Sequence, residues 1–369
     1  MSNQKPMDIS KLDALRKNLD KIDKQIISLL SERQMNIDAI GSVKLTSKSP
    51  TRDYQREKQV IDNVMNFAKE KNIDPEIAKS IFSLIIKTSL EKQENQKINT
   101  SDYGSHKSAL VIGGLGKMGQ WFVQFLSNQG FRVDISDIDP NFKNNIDYRT
   151  TELDYDFIIV SAPIAASAQI LQDLSHLKPQ GIVMDVGSIK SPLKLPLMQL
   201  ADSGCKVVSI HPMFGPNTRL LSNKHVIFID LGDKLSVDKT KELFLPTMAE
   251  QIDMQLEDHD RLVAYILGLS HVLNIAFMTV LSESGEAADT LAQLSSTTFD
   301  AQLSVSENVV SDNPHLYFEI QKLNNYSKST LNALGDAVQR IISVVENNQE
   351  QAFVNIMQKA QSYMHSRNE

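Results

Sequence analysis

The chain has 369 residues, which is too many for one compact core and predicts two or three domains. Its net charge of −7 argues against nucleic acid as a partner, and its single cysteine, Cys205, excludes an intramolecular disulfide. The polar N-terminus predicts no signal peptide, and no apolar run approaches the roughly 18 residues of a membrane span, so we expect a cytoplasmic protein without membrane contact.

Residues 8 to about 96 carry a helical pattern. Six apolar residues recur at steps of three and four on one side of a long helix: Leu12, Leu15, Leu19, Ile22, Ile26 and Leu29. Asp53 predicts the N-cap of a second helix, and Asp74-Pro75 predicts the start of a third. Three helices of this length cannot close a good core alone. We therefore predict an all-α three-helix domain over residues 1–96 that interlocks with a second copy.

A polar stretch over residues 97–107 predicts a linker, and the period changes at Ser108. Six apolar runs of strand length then alternate with helical stretches, over residues 109–113, 131–136, 156–163, 181–186, 206–210 and 225–230. This alternation indicates a parallel sheet covered on both faces. We predict a Rossmann-type α/β domain over residues 108–236. The strand pattern then stops, and residues 237–369 predict an all-α third domain.

A dinucleotide-binding fingerprint opens the α/β domain. The motif GLGKMG follows the first apolar run, and Asp137 lies at the end of the next predicted strand, directly after its apolar run and 18 residues past the last glycine. The glycines let backbone approach a pyrophosphate, and the following helix N-terminus attracts it. Asp137 would bind the adenosine ribose and repel the 2′-phosphate of NADP, which predicts NAD. The expected cofactor residues are Gly114, Gly116, Met118, Gly119, Asp137, Ser161 and Pro163.

His211 lies just beyond a strand, in the segment SIHPMFGP, and is the candidate base of a hydride-transfer site. A histidine can accept a hydroxyl proton while hydride leaves the same carbon. Ser188 and Lys190, in GSIK, lie at a matching strand end. His259 and His271 are twelve residues apart, so one unbroken helix would place them on the same face. Each of these two is equally compatible with a functional and a structural role.

Residues 108–365 resemble the prephenate dehydrogenase family. The matching segments are GGLGKMG, VSAPI, DVGSIK, IHPMFGP, the pair His259-Asp260 and LSSTTF. The resemblance implies NAD-dependent oxidation of prephenate, with loss of carbon dioxide, to 4-hydroxyphenylpyruvate. It maps the family's catalytic histidine onto His211 and its substrate-orienting serine and lysine onto Ser188 and Lys190. It also implies that the helical C-terminal domain forms a dimer.

The chain departs from that family in one respect. Family members carry an arginine that grips a prephenate carboxylate, and Ser270 and Asn308 stand at or near the two places where it occurs. Because burying a carboxylate without a cation is costly, another positive group must replace this arginine. We expect Lys190 to be the main cationic contact, His271 a hydrogen-bond donor, and Lys322 a weaker candidate.

Residues 8–96 resemble the all-helical class of chorismate mutases. Eight residues match that family's active-site positions without a gap: Arg16, Arg33, Lys44, Asp53, Arg56, Glu57, Ser89 and Gln93. The reaction is a pericyclic rearrangement, which electrostatic stabilisation of a polarised transition state can accelerate.

The resemblance to the mutases assigns each of these residues a role. It implies that Arg16 and Arg33 clamp the two carboxylates of the substrate. Lys44 and Gln93 would reach the ether oxygen, and Glu57 would hold the ring hydroxyl, while Asp53, Arg56 and Ser89 complete the pocket. In the family, the residue matching Arg16 comes from the partner chain, which implies a homodimer.

Together the resemblances imply a bifunctional enzyme that converts chorismate into prephenate and then into 4-hydroxyphenylpyruvate. One alternative is a dehydrogenase that prefers arogenate or accepts both compounds. A second is a non-catalytic protein that senses NAD and dimerises, which predicts loss of His211, Lys44 or Arg33, yet all three are present. A third is a β-hydroxyacid-type dehydrogenase, which would carry a catalytic lysine on a C-terminal helix instead of a histidine after a strand.

Overall fold

Three helices form the N-terminal part of the protein. The computed structural model describes residues 9–47 and 49–366, so the predicted helical start at residue 8 lies outside the described residues. The helices are α1 (Ile9–Ser47), α2 (Tyr54–Glu70) and α3 (Pro75–Asn99), and both α1 and α2 pack against α3. Asp53 accepts a hydrogen bond from the Arg56 amide and Asp74 accepts one from the Glu76 amide, so both predicted N-caps are confirmed.

Most of the apolar side of α1 is uncovered. Leu15, Leu19 and Leu29 are each more than half exposed, and Ile22 and Ile26 are exposed as well. Such a stripe stabilises a helix only when another apolar surface packs on it. Within the described residues of one chain, no element covers this stripe along its length.

The central part is a seven-stranded sheet. Its strands are β1 (Ser108–Ile112), β2 (Arg132–Ser136), β3 (Phe157–Val160), β4 (Ile182–Asp185), β5 (Lys206–Pro212), β6 (His225–Asp230) and β7 (Glu250–Met254). The order is β2-β1-β3-β4-β5-β6-β7. The first five strands are parallel, as predicted, whereas β6 runs antiparallel to β5 and β7 runs parallel to β6.

The sheet extends beyond the predicted domain end at residue 236. Strand β7 is a partly exposed edge strand, EQIDM, whose few apolar residues give no strand-length apolar run, which explains why the sequence pattern misses it. Helices α4 (Lys117–Ser127) and α7 (Lys234–Glu242) pack on one face of the sheet. Helices α5 (Ile164–Leu177) and α6 (Lys194–Asp202) pack on the other. Both faces are therefore buried, as continuous apolar strands require.

The predicted linker over residues 97–107 is instead part of the fold. Helix α3 continues to Asn99, and Ile98 is buried in the core between the sheet and α4. The Tyr103 ring lies 6.0 Å from the Phe131 ring, and its hydroxyl donates to the Lys239 carbonyl. A few apolar residues within this polar segment therefore pack it against the sheet part of the fold.

The C-terminal part is helical. It comprises α8 (Leu256–Val263), a π-helical stretch (Ala264–Leu269), α9 (Ser270–Glu283), α10 (Ala288–Gln293), α11 (Thr297–Val310), α12 (Pro314–Leu323), α13 (Ser327–Glu346) and α14 (Glu350–Ser366). The run from α8 through α9 forms one helix of 28 residues that is long and apolar enough to cross a membrane by length and composition. The prediction that no such run exists is wrong. That helix carries the buried polar residues His259, Asp260 and Asn274.

Candidate active sites

The glycine-rich loop after β1 forms a cleft at the carboxyl edge of the sheet. From β1 the chain passes to β2 on one side and then crosses back to β3 on the other side of β1, and ligands bind at such a switch point. A Cβ on Gly119 would lie 2.1 Å from the Gly113 carbonyl oxygen, so only glycine allows α4 to approach β1 this closely. A Cβ on Gly116 would meet only the Gly113 and Ser161 carbonyls, which leaves the space above the loop open to a ligand.

The remaining predicted cofactor residues surround this cleft. One Asp137 carboxylate oxygen accepts a hydrogen bond from the Leu115 amide (2.9 Å), which holds the carboxylate beside the loop, where a ribose would lie. Met118 lies in the first turn of α4, while Ser161 and Pro163 follow β3. These residues fit the adenosine, pyrophosphate and nicotinamide ends of NAD.

A buried chain of hydrogen bonds ends at His211. Its Nδ1 lies 2.9 Å from His259 Nε2, and His259 Nδ1 lies 2.7 Å from Asp260 Oδ1. The Asp260 carboxylate also accepts hydrogen bonds from the Lys190 amide (2.8 Å) and from the amide and hydroxyl of Ser191. His211 is 3% exposed and His259 is fully buried. The structure therefore brings His259 to the predicted base.

The ionised Asp260 carboxylate determines the tautomers of the His259 and His211 rings. Burial would raise the pKa of Asp260, but hydrogen bonds from His259, Ser191 and Lys190 hold that pKa below its ordinary value. An ionised Asp260 accepts the Nδ1–H of His259, so His259 Nε2 must accept the Nδ1–H of His211. Burial lowers the pKa of His259 and lowers that of His211 well below its ordinary range. Both rings are thus neutral near pH 7, and His211 Nε2 is left as a free acceptor.

Lys190 does not face the substrate, so the prediction that it is the main cationic contact is wrong. Its side chain is 1% exposed, and its Nζ donates to Asp185 (2.6 Å) and to the Ile210 carbonyl (2.8 Å). It joins β4 to β5 immediately before His211. Removing it would leave the Asp185 carboxylate buried and unpaired, which typically costs about 3–5 kcal/mol. Lys190 therefore stabilises the strand end that carries His211 and does not contact the substrate.

His271 and His259 are not joined by an unbroken α-helix. The π-helical stretch between them changes the residue spacing per turn, so the condition of one unbroken α-helix is not met. The His271 ring lies 4.3 Å from the Tyr317 ring, and its Nδ1 has no hydrogen-bond partner among the residues that the structure describes. Burial lowers the pKa of His271, and the nearby Asp312 opposes this. Lys117, within GLGKMG, lies 3.8 Å from Asp312.

Two other residues predicted for the dehydrogenase site lie at different depths. Ser188 is half-buried in the turn after β4, at the same sheet edge as His211. Lys322 is an exposed residue of α12, with its Nζ 5.5 Å from the centre of the Phe318 ring. Lys117 is not among the predicted site residues. Its position inside the glycine motif, between Gly116 and Met118, is the feature of the sequence that could have indicated it.

Seven of the eight predicted mutase residues line one cavity of about 310 Å³ between the three N-terminal helices. They are Arg33, Lys44, Asp53, Arg56, Glu57, Ser89 and Gln93. Apolar side chains, including Ile37, Val60 and Ile86, complete the walls. A cavity that combines cations with apolar walls suits a dianion with a hydrocarbon ring.

Hydrogen bonds orient several of these side chains. Arg33 Nη1 donates to Ser89 Oγ (2.6 Å), and Lys44 Nζ donates to the Thr51 carbonyl (2.7 Å). Burial lowers the pKa of Arg33, although an arginine stays protonated at any physiological pH. Gln93 is buried, and its Oε1 has no partner within the described part of the chain.

Arg16 is the one predicted mutase residue outside the cavity of its own chain. Its side chain is 67% exposed and lies 3.7 Å from Asp13 on the uncovered part of α1. This position agrees with a role in a second copy. Arg52 was not predicted, yet its guanidinium pairs with Glu57. It directly precedes the matched Asp53, but a charged residue beside a helix N-cap is common and gives no distinguishing signal.

Three family matches cover most of the chain. Residues 15–94 match the family described as Chorismate mutase type II. Residues 124–252 match the nucleotide-binding domain of prephenate dehydrogenase, and residues 255–359 match its dimerization domain. The boundary between the last two falls at the end of β7, which agrees with the extended sheet.

Individual relatives show the same arrangement. The T-protein of Enterobacter agglomerans is 24% identical over 348 residues, which cover 94% of this chain and 91% of that protein. The chorismate mutase of Methanocaldococcus jannaschii is 34% identical over 87 residues, which cover 23% of this chain and 88% of that protein.

Solved structures share the fold of the second and third parts. The prephenate dehydrogenase of A. aeolicus, in complex with hydroxyphenyl propionate and NAD+, is 19% identical with a TM-score of 0.53 and covers 70% of this chain and 96% of that one. Arogenate dehydrogenase of Synechocystis is 18% identical with a TM-score of 0.54 and covers 69% and 98%. The chain belongs to the chorismate mutase family and is a chorismate mutase fused to an NAD-dependent prephenate dehydrogenase.

Proposed function

We propose that the two sites catalyse consecutive steps, in which chorismate becomes prephenate in the helical cavity and prephenate becomes 4-hydroxyphenylpyruvate at the sheet edge. The observation that carries the second step is the Asp260–His259–His211 chain, which leaves a neutral imidazole nitrogen free to accept a proton. The observation that carries the first is the cavity that collects seven matching residues.

In the dehydrogenase step, His211 Nε2 accepts the proton of the substrate ring hydroxyl while the carbon that bears this hydroxyl loses hydride. NAD, when bound in the glycine-rich cleft, is the hydride acceptor. His259 holds the His211 ring and stabilises the imidazolium that forms, because Asp260 can offset the new positive charge. Ser188, at the same edge, would orient the hydroxyl. Loss of carbon dioxide from the ring makes it aromatic and completes the reaction.

A prephenate carboxylate still needs a cation, and we propose that Lys117 supplies it. It begins α4 beside the cofactor cleft, and its partner Asp312 is close enough to affect the pKa of both His271 and Tyr317. These side chains therefore border one region. A substrate carboxylate would displace the weak contact with Asp312, while His271 supplies a hydrogen bond. A lysine gives a point charge without the arginine fork, so binding should be sensitive to salt.

We expect Lys117→Met to raise KM for prephenate about tenfold, as befits a lost charge-assisted hydrogen bond. Lys322→Met tests the weaker candidate, and we expect KM to stay unchanged because Lys322 is an exposed residue of α12 whose Nζ lies over the Phe318 ring. The measurement is steady-state kinetics with each substrate varied in turn. A rise confined to KM for NAD would show that Lys117 serves the cofactor instead.

In the mutase step, Arg33 binds one carboxylate group while Lys44 and Gln93 face the ether oxygen, where negative charge grows as the bond breaks. Glu57 would hold the ring hydroxyl. We propose that Arg16 completes this pocket from a partner chain. No proton transfer is required, so fixed charges and shape are sufficient.

A homodimer accounts for three exposed features at once. The apolar side of α1 is uncovered, Arg16 lies outside its own cavity, and only 22% of the most apolar part of the helix Leu256–Glu283 is buried. That helix belongs to the part that matches a dimerization domain. We propose that a second copy covers both surfaces in a cytoplasmic enzyme, and that the long apolar helix packs against protein.

Incubation with chorismate and NAD tests the whole assignment. NADH should accumulate together with 4-hydroxyphenylpyruvate and carbon dioxide, after a lag in which prephenate builds up. Arogenate is the competing substrate, so kcat/KM should be measured with prephenate and arogenate in parallel. A higher value with arogenate would replace the proposed dehydrogenase substrate and leave the mutase unaffected.

The wild-type enzyme should favour NAD over NADP by at least about tenfold in kcat/KM, because Asp137 repels a 2′-phosphate. Asp137→Ala should narrow the gap, but it also removes the acceptor for the Leu115 amide. Asp137→Asn keeps an acceptor there and removes only the charge, so it is the matched variant. Equal use of both cofactors by the wild type would refute this role.

A further inference from the structure

Arg52 links Glu57, which lines the mutase cavity, to the dehydrogenase part of the same chain. Arg52 Nε and Nη2 donate to the two carboxylate oxygens of Glu57, at 2.9 and 3.0 Å. Its third nitrogen, Nη1, donates to Ser222 Oγ and to Asn223 Oδ1 (3.0 Å). Ser222 and Asn223 belong to the loop between β5 and β6. One guanidinium therefore uses all three nitrogens to join a mutase-site carboxylate to the dehydrogenase sheet.

A second contact fixes the neighbouring wall of the cavity. The Glu94 carboxylate is fully buried and accepts hydrogen bonds from the Leu221 amide (2.7 Å) and the Met248 amide. Glu94 directly follows Gln93, which lines the mutase cavity. Leu221 directly precedes Ser222. The loop between β5 and β6 thus holds both α3 and, through Arg52, the start of α2.

The pair formed by Arg52 and Glu57 is partly shielded from solvent, with the side chains 19% and 21% exposed. The Arg52 guanidinium also lies 4.2 Å from the centre of the Tyr54 ring, which limits its motion. Glu57 has several rotamers on the first turn of α2, and Arg52 selects one of them. An arginine suits this task because its planar fork matches a carboxylate and leaves one nitrogen free for a third partner.

We propose that Arg52 is a positioning residue of the chorismate mutase, and that the dehydrogenase loop at Ser222 and Asn223 is part of the mutase site because it holds Arg52. The proposal rests on the proposed role of Glu57 in binding chorismate. It predicts that changes in the dehydrogenase loop alter the mutase reaction while dehydrogenase turnover stays constant.

The decisive variant lies outside the mutase helices. The double variant Ser222→Ala with Asn223→Gly removes both dehydrogenase-side acceptors and keeps the Arg52–Glu57 pair. Glycine is suitable at position 223 because the backbone there has a φ of +60°. In the full-length protein, we expect mutase kcat to fall roughly tenfold, because small misplacements of catalytic groups are costly. KM for chorismate should stay within threefold, since Arg33 and Lys44 keep their contacts.

Variants at Arg52 itself give the upper limit of the effect. Arg52→Met should lower mutase kcat by about 10²-fold, because Glu57 loses its orientation. Arg52→Lys keeps the charge without the fork and should recover part of that loss. Asn217→Ala is the matched control, because Asn217 is an exposed residue of the same loop. Dehydrogenase activity on added prephenate, within twofold of the wild type for every variant, reports that each protein is folded.

The outcomes separate cleanly. If the double variant keeps mutase kcat within twofold of the wild type, the dehydrogenase loop is not part of the mutase site and the proposal is overturned. Equal effects of Asn217→Ala and the double variant would overturn it too, because the loss would then be a general property of the loop. A wild-type enzyme without activity on chorismate would instead refute the proposed mutase function.

Discussion

His211→Asn should lower dehydrogenase kcat by about 10²–10⁴-fold while mutase turnover of chorismate stays within twofold of the wild type. The asparagine amide can still donate to His259 Nε2, so the buried chain to Asp260 is kept and only the proton acceptor facing the substrate is lost. The two activities are measured separately, with prephenate plus NAD for the dehydrogenase and with chorismate alone for the mutase. Normal oxidation of prephenate by this variant would show that another group is the base.

The pH profile of the wild type provides a second test of the same residue. Burial depresses the pKa of His211 below its ordinary value of 6.5, so the imidazole stays neutral and able to accept a proton as pH falls through that value. Dehydrogenase kcat/KM should therefore remain on its plateau at pH 6.5 and decline only at lower pH. His211→Asn should lack that acidic decline, because it has no imidazole to protonate.

The sequence predicts residue groups best where one regular element fixes their spacing. Arg33 and Lys44 lie on α1, and Ser89 and Gln93 lie on α3, so a helical match along the sequence brings them to one cavity. The positions of the glycine-motif residues are also predictable from their spacing, because the tight turn between β1 and α4 allows the backbone few conformations. These predictions rely on local geometry alone.

Predictions fail where the direction of a side chain depends on tertiary packing. Lys190 has the expected position after β4, yet it turns inward because the buried Asp185 carboxylate needs a cation. The spacing between His259 and His271 suggests a common face of one α-helix, but a π-helical stretch lies between them and changes the number of residues per turn. Neither the carboxylate's burial nor the π-helical hydrogen bonding has a signature in the sequence. For the same reason, Arg52 could not be distinguished from a solvated surface charge.

Lys44→Ala should impair the mutase and spare the dehydrogenase, the opposite of His211→Asn. We expect mutase kcat/KM to fall by about 10²–10³-fold. The Lys44 ammonium is held in the cavity by the Thr51 carbonyl and is the group placed to meet the ether oxygen with a full positive charge. Its contribution grows as the carbon–oxygen bond breaks, so kcat should fall more than KM rises. Oxidation of added prephenate should be unchanged.

Lys92→Ala is the matched control for that experiment. Lys92 lies on α3, and its Nζ pairs with Asp38 of α1 on the exposed side, so it does not line the cavity. Exposed ion pairs contribute little to stability, so this variant should keep mutase kcat/KM within twofold. If both lysine variants lose activity equally, the effect of Lys44 is a general loss of positive charge. If only Lys44→Ala is impaired, production of NADH from chorismate must slow to the rate of the damaged mutase, while the same protein oxidises added prephenate at the normal rate.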